Sequence, residues 1–106
     1  MNQSSEAVTF LYIVQAQPGK EDELAELLRS LVTKSRYEPG NIVYETYEVT
    51  NRSGFYVVYS VWVSQEALDA HHATAPVRDA IAQFTNLAQG EFGSGAHLLR
   101  KLRPAI

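Results

Sequence analysis

The sequence predicts an α+β fold of the ferredoxin-like class, in which helices cover one face of an antiparallel sheet. Stretches of β-branched and aromatic residues alternate with stretches of helical periodicity, and turn-forming residues separate them. Their order along the chain is β-α-β-β-α-β, which is the split-βαβ arrangement. The 106 residues, 45% of them hydrophobic, suit a single domain with one core, so we expect one domain over residues 1–106 with residues 1–6 flexible.

The first predicted strand and the first predicted helix follow each other directly. Residues 8–15 (VTFLYIVQ) are β-branched and aromatic, and the turn residues Pro18 and Gly19 follow them. Acidic residues at 21–23 then fill a first helical turn, and leucines at positions 24, 27, 28 and 31 recur at helical spacing. The leucine stripe predicts that one face of this helix is buried. Pro39 and Gly40 end it.

The second half of the chain begins with a predicted hairpin. Residues 41–49 and 55–63 read as strands, and the turn residues 51–54 join them. Ser64 is a plausible N-cap for a short helix, although Glu66 lies one position short of the capping-box position. Pro76 should break that helix before a further helical stretch over 77–84.

The last predicted elements are a glycine-rich connector and a final strand. Residues 96–102 are the candidate for the last strand, and residues 90–95 lead into it. The glycines follow a helix and precede a strand, which reverses the strand-loop-helix context of phosphate-binding loops. We therefore expect a mobile connector or lid and no nucleotide site.

The third strand is apolar on both faces. Alternate residues Tyr56, Val58, Ser60 and Trp62 share one face, and residues 55, 57, 59 and 61 (Phe, Val, Tyr, Val) share the other. Helices can cover only one face of this sheet, so the other would stay exposed unless a partner covers it. The sequence therefore predicts a homodimer whose sheets pack face to face.

Composition removes several other classes of partner and location. A net charge of −3 without a Lys/Arg run argues against nucleic acid, and the absence of cysteine excludes disulfides, thiolate metal sites and a cysteine nucleophile. The chain has no signal-peptide pattern at its start and no apolar run near the ~20 residues that span a bilayer. We expect a cytoplasmic protein without a membrane partner.

Two motifs carry a family resemblance. One is Glu38-Pro39-Gly40-Asn41 followed by Tyr44, and the other is a Trp-x-Ser-x-x-Ala-x-x-x-His run from Trp62 to His71. Together, in this element order, they resemble the antibiotic biosynthesis monooxygenase family, the quinol-monooxygenase-like dimeric α+β barrels. The likeness spans residues 8–102.

The resemblance implies a dimer with a pocket between sheet and helices in each subunit. It also implies oxidation of phenolic or quinol-type compounds by O2 without a cofactor. Many members carry a glutamate two residues before the strand tryptophan, and this chain has Ser60 there. Haem-degrading members of the superfamily use a strand-one asparagine, whose approximate counterpart lies around Tyr12, so haem degradation is disfavoured.

The candidate catalytic residues are His71 and Trp62. An imidazole is the side chain best suited to accept a phenolic proton near neutrality, and an indole can wall an aromatic site. The simpler alternatives are that His71 only caps helix carbonyls and that Trp62 fills the core or an interface. The candidate substrate-binding residues are Tyr12, Tyr44, Tyr56, Ser60 and Phe84, although most of the tyrosines could simply pack.

No metal site is predicted. His71 and His72 are rotated by roughly 100° on a helix and are not expected to face the same site, and His97 lacks an accompanying H-E-x-x-H pattern. The leading hypothesis is a cofactor-free oxygenase for an electron-rich aromatic. An isomerase or an aromatic-binding module of the same fold is the alternative, and a structural dimer partner without chemistry is the third.

Overall fold

A computed structural model describes residues 6–104 and shows three α-helices on one face of a four-stranded antiparallel sheet. The flexibility expected of residues 1–6 is not tested, because residues 1–5 lie outside the described residues. The strand order is β2-β3-β1-β4, which confirms the ferredoxin-like α+β class. The elements are β1 (Val8–Gln15), α1 (Glu21–Arg36), β2 (Asn41–Glu48), β3 (Phe55–Trp62), α2 (Gln65–His72), α3 (Ala75–Leu87) and β4 (Ala96–Leu99).

Several element boundaries differ from the sequence prediction, by one residue at the ends of β2 and β3 and by two or three residues in α3 and β4. Helix α3 begins at Ala75, so Pro76 lies in its first turn, where a missing amide hydrogen and a fixed φ are tolerated. Strand β4 ends at Leu99, three residues short of the predicted end. It pairs only with β1, and its last pair joins Leu99 to Thr9, one residue from the start of β1. Beyond this pair, β1 has only one residue left with which a longer β4 could pair.

The core lies between the sheet and the helices. Along β3 the burial alternates strictly, so Tyr56, Val58, Ser60 and Trp62 face the helices, as the period-2 pattern predicts. Tyr12 and Val14 of β1 and Tyr44 of β2 are also buried on this face. Helices α1, α2 and α3 pack onto it with buried side chains that include Leu24, Leu28, Leu31, Leu68, Val77 and Phe84. Within residues 6–104, none of the helices has the length and apolarity needed to cross a bilayer.

The opposite face of the sheet carries apolar side chains that no described helix covers. Val57 and Val61 of β3 lie there half-exposed, Ile13 of β1 is 41% exposed, and Tyr47 of β2 is 51% exposed. This face has the apolar character on which the homodimer prediction depends. The dimer itself stays a prediction.

The α1–β2 loop docks tightly against the start of α2. Gly40 adopts a φ of +86°, and its carbonyl oxygen accepts a 2.8 Å hydrogen bond from the Val63 amide. A Cβ at this position would lie 2.7 Å from the Cβ of Ala67, so only glycine fits both the conformation and the space. Because Glu38 lies two residues before this anchored glycine, the loop fixes where its carboxylate can reach.

Candidate functional site

A largely apolar cavity of about 70 Å³ lies between the sheet and the helices. The leucine stripe of α1 and the inner face of α3, including Phe84, supply most of its wall. Its polar side chains come from β1, β2, β3 and α2, and they are Tyr12, Tyr44, Ser60, His71 and His72. The cavity thus has the character of a small-molecule site, with a few polar groups in an apolar enclosure.

His71 is the best-anchored polar group of this cavity. Ser64 caps α2 by accepting a 3.2 Å hydrogen bond from the Ala67 amide, and the helix then carries His71 to its last turn, where only 6% of the residue is exposed. The Nδ1 atom of His71 lies 2.9 Å from Oε1 of Glu38. A carboxylate thus holds one edge of the imidazole while the ring lines the cavity.

The electrostatics fix the protonation of this pair. Burial lowers the pKa of His71 to about 4, so the ring is neutral at pH 7. Burial also raises the pKa of Glu38, and the positive charge of protonated His72 opposes that rise. A neutral ring can donate its Nδ1 hydrogen to the Glu38 carboxylate at 2.9 Å, and in that tautomer the lone pair lies on Nε2. Among residues 6–104 no hydrogen bond uses Nε2, so this atom has no partner in the described part of the chain.

Sequence reasoning assigned no role to Glu38. The residue stood in the first family motif, but its partner His71 is 33 positions away and belongs to another motif. The signal that could have linked the two is Gly40, because a glycine directly after a proline indicates a constrained turn near a close contact. That contact is with Ala67, which lies one helical turn before His71.

Trp62 lies behind the cavity wall and is not one of its lining side chains. It is fully buried, and its indole N–H donates a 3.0 Å hydrogen bond to Oγ of Ser60. Its ring packs against His71 with 4.6 Å between centroids and meets Tyr44 edge-on at 6.5 Å. The indole therefore supports the imidazole from beneath, while Ser60 reaches the cavity.

The three predicted tyrosines divide into two groups. Tyr12 and Tyr44 line the cavity, and burial raises the pKa of both phenols, that of Tyr44 to about 12. They are therefore neutral and can donate hydrogen bonds. The structure places Tyr56 elsewhere: it lies four residues before Ser60 on β3, and its hydroxyl donates to the Glu21 carbonyl at 3.1 Å. It ties the sheet to the start of α1.

The expectation that His71 and His72 would not face the same site is wrong. Both side chains line the cavity, and their ring centroids are 5.2 Å apart. The cavity wraps around the C-terminal end of α2, so side chains about 100° apart on the helix still reach it. Over the described part of the chain, no three histidine, cysteine or acidic side chains come together as a metal site.

Comparison with known proteins gives the chain its relatives. It is 33% identical to an uncharacterized Synechocystis protein over 61 residues, 58% of this chain and 42% of that protein. It is 29% identical to YcnE of Bacillus subtilis, a protein assigned provisionally as a monooxygenase, over 66% of this chain and 74% of YcnE. The match thus spans less than half of the first relative.

Solved structures show the same fold. PA3566 of Pseudomonas aeruginosa has a TM-score of 0.84 at 24% identity, covering 96% of this chain and all of that one. Rv0793 of Mycobacterium tuberculosis has a TM-score of 0.83 at 25% identity, with coverage of 95% and 100%. A family model described as antibiotic biosynthesis monooxygenase matches residues 10–83, which include every cavity-lining residue except Phe84. The chain therefore belongs to the antibiotic biosynthesis monooxygenase family.

Proposed function

We propose that this protein is a cofactor-independent monooxygenase that oxidises a phenolic aromatic, of the quinol or anthrone-like type, with O2. The observation that carries the proposal is the neutral imidazole of His71, held by Glu38 at 2.9 Å and exposed to an apolar cavity. Membership of the family and the provisional monooxygenase assignment of YcnE support the same reaction class.

The proposed chemistry begins with proton transfer. Nε2 of His71 accepts the proton of a substrate hydroxyl, and the resulting phenolate gives one electron to O2 far more readily than the neutral phenol does. The substrate radical and superoxide combine at a ring carbon to give a peroxide, which eliminates water and leaves a quinone. One ring hydroxyl, one ring C–H and O2 are thereby converted into two carbonyls and H2O.

Three features of the cavity suit these steps. The Glu38 carboxylate lies where it would stabilise the imidazolium that proton transfer creates. The neutral phenols of Tyr12 and Tyr44 can donate hydrogen bonds to the developing oxyanion. The leucine-rich walls are apolar, and an apolar surrounding strengthens each of these interactions.

The test is oxygen uptake by metal-free, flavin-free protein against quinols, dihydroxynaphthalenes and anthrones, with the protein-free rate subtracted. Uptake should survive a chelator, and His71→Ala should lower turnover by about 10²-fold or more. Glu38→Gln should lower kcat by about 10-fold or more while leaving substrate affinity nearly unchanged, because it acts through His71. Gln83→Ala, on the exposed side of α3, is the matched control. Turnover that is unchanged in His71→Ala would remove this residue from the mechanism.

A non-oxidative function of the same cavity is the alternative. A neutral imidazole beside a carboxylate can also move a proton between two positions of a small oxygenated metabolite, which is the chemistry of an isomerase. Product formation that continues under argon would favour the isomerase, and ligand binding without turnover would favour a binding module.

We also propose that two copies pack through their sheets. The uncovered face carries Ile13, Tyr47, Val57 and Val61 as an apolar surface. A charge placed at its centre by Val57→Asp should give a monomer in light scattering, whereas the unaltered protein should have the dimer mass. A monodisperse monomer of the unaltered protein at micromolar concentration would contradict the proposal.

A further inference from the structure

The inner cavity has a larger neighbour on the other side of one thin wall. A second cavity of about 390 Å³ lies between α2 and β4, and it is bounded by Gln65, Leu68, Ala96, His97 and Leu98. We call it the outer groove. Phe10 and His72 line both cavities, so these two side chains form the partition between them.

The size of the inner cavity sets a requirement on any aromatic ligand. Its volume of about 70 Å³ is less than half of the roughly 150 Å³ of an engineered protein cavity that holds benzene. An aromatic ring can therefore enter only if part of the wall moves.

The partition is held less firmly than the anchored and fully buried parts of the wall. Phe10 and His72 meet edge to face with 5.2 Å between ring centroids, and no hydrogen bond within residues 6–104 holds the His72 ring. By contrast, Glu38 anchors the neighbouring His71, and Leu24 of α1 is 1% exposed within the core. Rotation of the two partition rings moves less packed structure than displacement of a helix.

Beyond the partition there is room for more than a ring. The two cavities joined reach the range of about 300–1,000 Å³ that is typical of ligand pockets. Ala96 and Leu98 pair with Tyr12 and Phe10, so they lie on the same face of the sheet as the inner cavity and continue its floor. The exposed Gln65 offers an amide at the mouth.

We infer that Phe10 and His72 form a movable partition and that ligand binding joins the inner cavity and the outer groove into one bipartite site. The ligand class that fits is a hydroxylated aromatic ring carrying an apolar substituent: the ring lies beside His71, and the substituent passes between Phe10 and His72 into the outer groove. The inference rests on the proposed function only in taking the ligand to be aromatic.

The test is anaerobic binding of two quinone probes, 1,4-naphthoquinone and 2-hexyl-1,4-naphthoquinone, followed by quenching of Trp62, the only tryptophan in the chain. Each methylene that becomes buried contributes about fourfold in affinity, so the hexyl probe should bind at least about 10-fold more tightly. Ala96→Leu, which fills the outer groove, should abolish that preference while the unsubstituted probe binds as before. His72→Ala should raise the association rate of both probes about fivefold or more, because a rearrangement that slows binding has been removed.

Two further variants keep the result interpretable. Leu98 is 62% exposed, so Leu98→Asn should leave folding intact and weaken only the hexyl probe, and Gln83→Ala should change neither. A hexyl preference that persists in both Ala96→Leu and Leu98→Asn would overturn the inference, as would unchanged association rates in His72→Ala. If Ala96→Leu changes the oligomeric mass but not the preference, the groove is a contact between copies and the inference is wrong. Because no turnover is needed, failure of oxygen uptake with this binding pattern intact would reject only the proposed function.

Discussion

Acid should destabilise this protein through His71, and the size of the effect follows from its burial. The pKa of His71 is lowered from 6.5 to about 4 because the charged ring is desolvated in the folded state. The unfolded chain therefore binds this proton more readily than the folded chain. The stabilising contribution is complete above pH 6.5 and is lost as the pH falls toward 4.

The expected magnitude is substantial for a domain of this size. With pKa values of 6.5 unfolded and about 4 folded, lowering the pH from 7.5 to 5 removes about 2 kcal/mol, and lowering it to 4 removes about 3 kcal/mol. The free energy of unfolding of a small domain is only about 5–15 kcal/mol. A loss of this size is therefore measurable by urea unfolding at each pH.

The matched control is His71→Asn, whose amide can still donate to Glu38 but does not titrate. Burial also lowers the pKa of His72, and the charge of protonated His71 lowers it further, so the difference between the two proteins gives the contribution of His71 together with its coupling to His72. Glu38→Gln should still lose stability in acid, because this loss comes from protonation of the imidazole and not of the carboxylate. Equal pH dependence in the wild type and His71→Asn, within about 0.5 kcal/mol, would refute the reasoning.

Two substitutions test how the site is held. Gly40→Ala should lower the free energy of unfolding by clearly more than the about 1–2 kcal/mol that a left-handed alanine costs, because its Cβ would lie 2.7 Å from the Cβ of Ala67. The control in urea unfolding is Gly19→Ala, which is also at positive φ but in open space. Equal losses would mean that the contact relaxes freely. Ser60→Ala should cost about 1–3 kcal/mol, since it leaves the buried indole N–H of Trp62 without its acceptor, and the Trp62 emission spectrum should shift; no change in either would show that another group accepts that hydrogen.

The fold could be predicted from the sequence because its signals are local. The period-2 burial of β3 and the leucine stripe of α1 are set by residues a few positions apart, and both agree with the structure. The end of β4 could not be predicted, because it depends on how far β1 extends beside it and not on its own residues.

The site was only partly predictable because it is built across long separations. His71, Tyr12, Tyr44, Ser60 and Phe84 were expected at the site and do line the cavity. Trp62 lies behind the cavity wall and Tyr56 lies outside it. These positions depend on how β3 lies beneath α1, which the sequence pattern does not reveal. The carboxylate of Glu38 was missed because the close packing of Gly40 on Ala67, which brings it to His71, leaves no periodic trace in the sequence.

The docking of the α1–β2 loop on α2 couples the imidazole to the integrity of both halves of the chain. Glu38 follows the helix of the first half and His71 ends a helix of the second, so their 2.9 Å contact exists only while the two halves are assembled. Loops open locally at a lower free energy than the whole domain unfolds. A brief opening of this loop would release the imidazole from its carboxylate without exposing the core, so the competence of the site can be lost and regained faster than the fold itself.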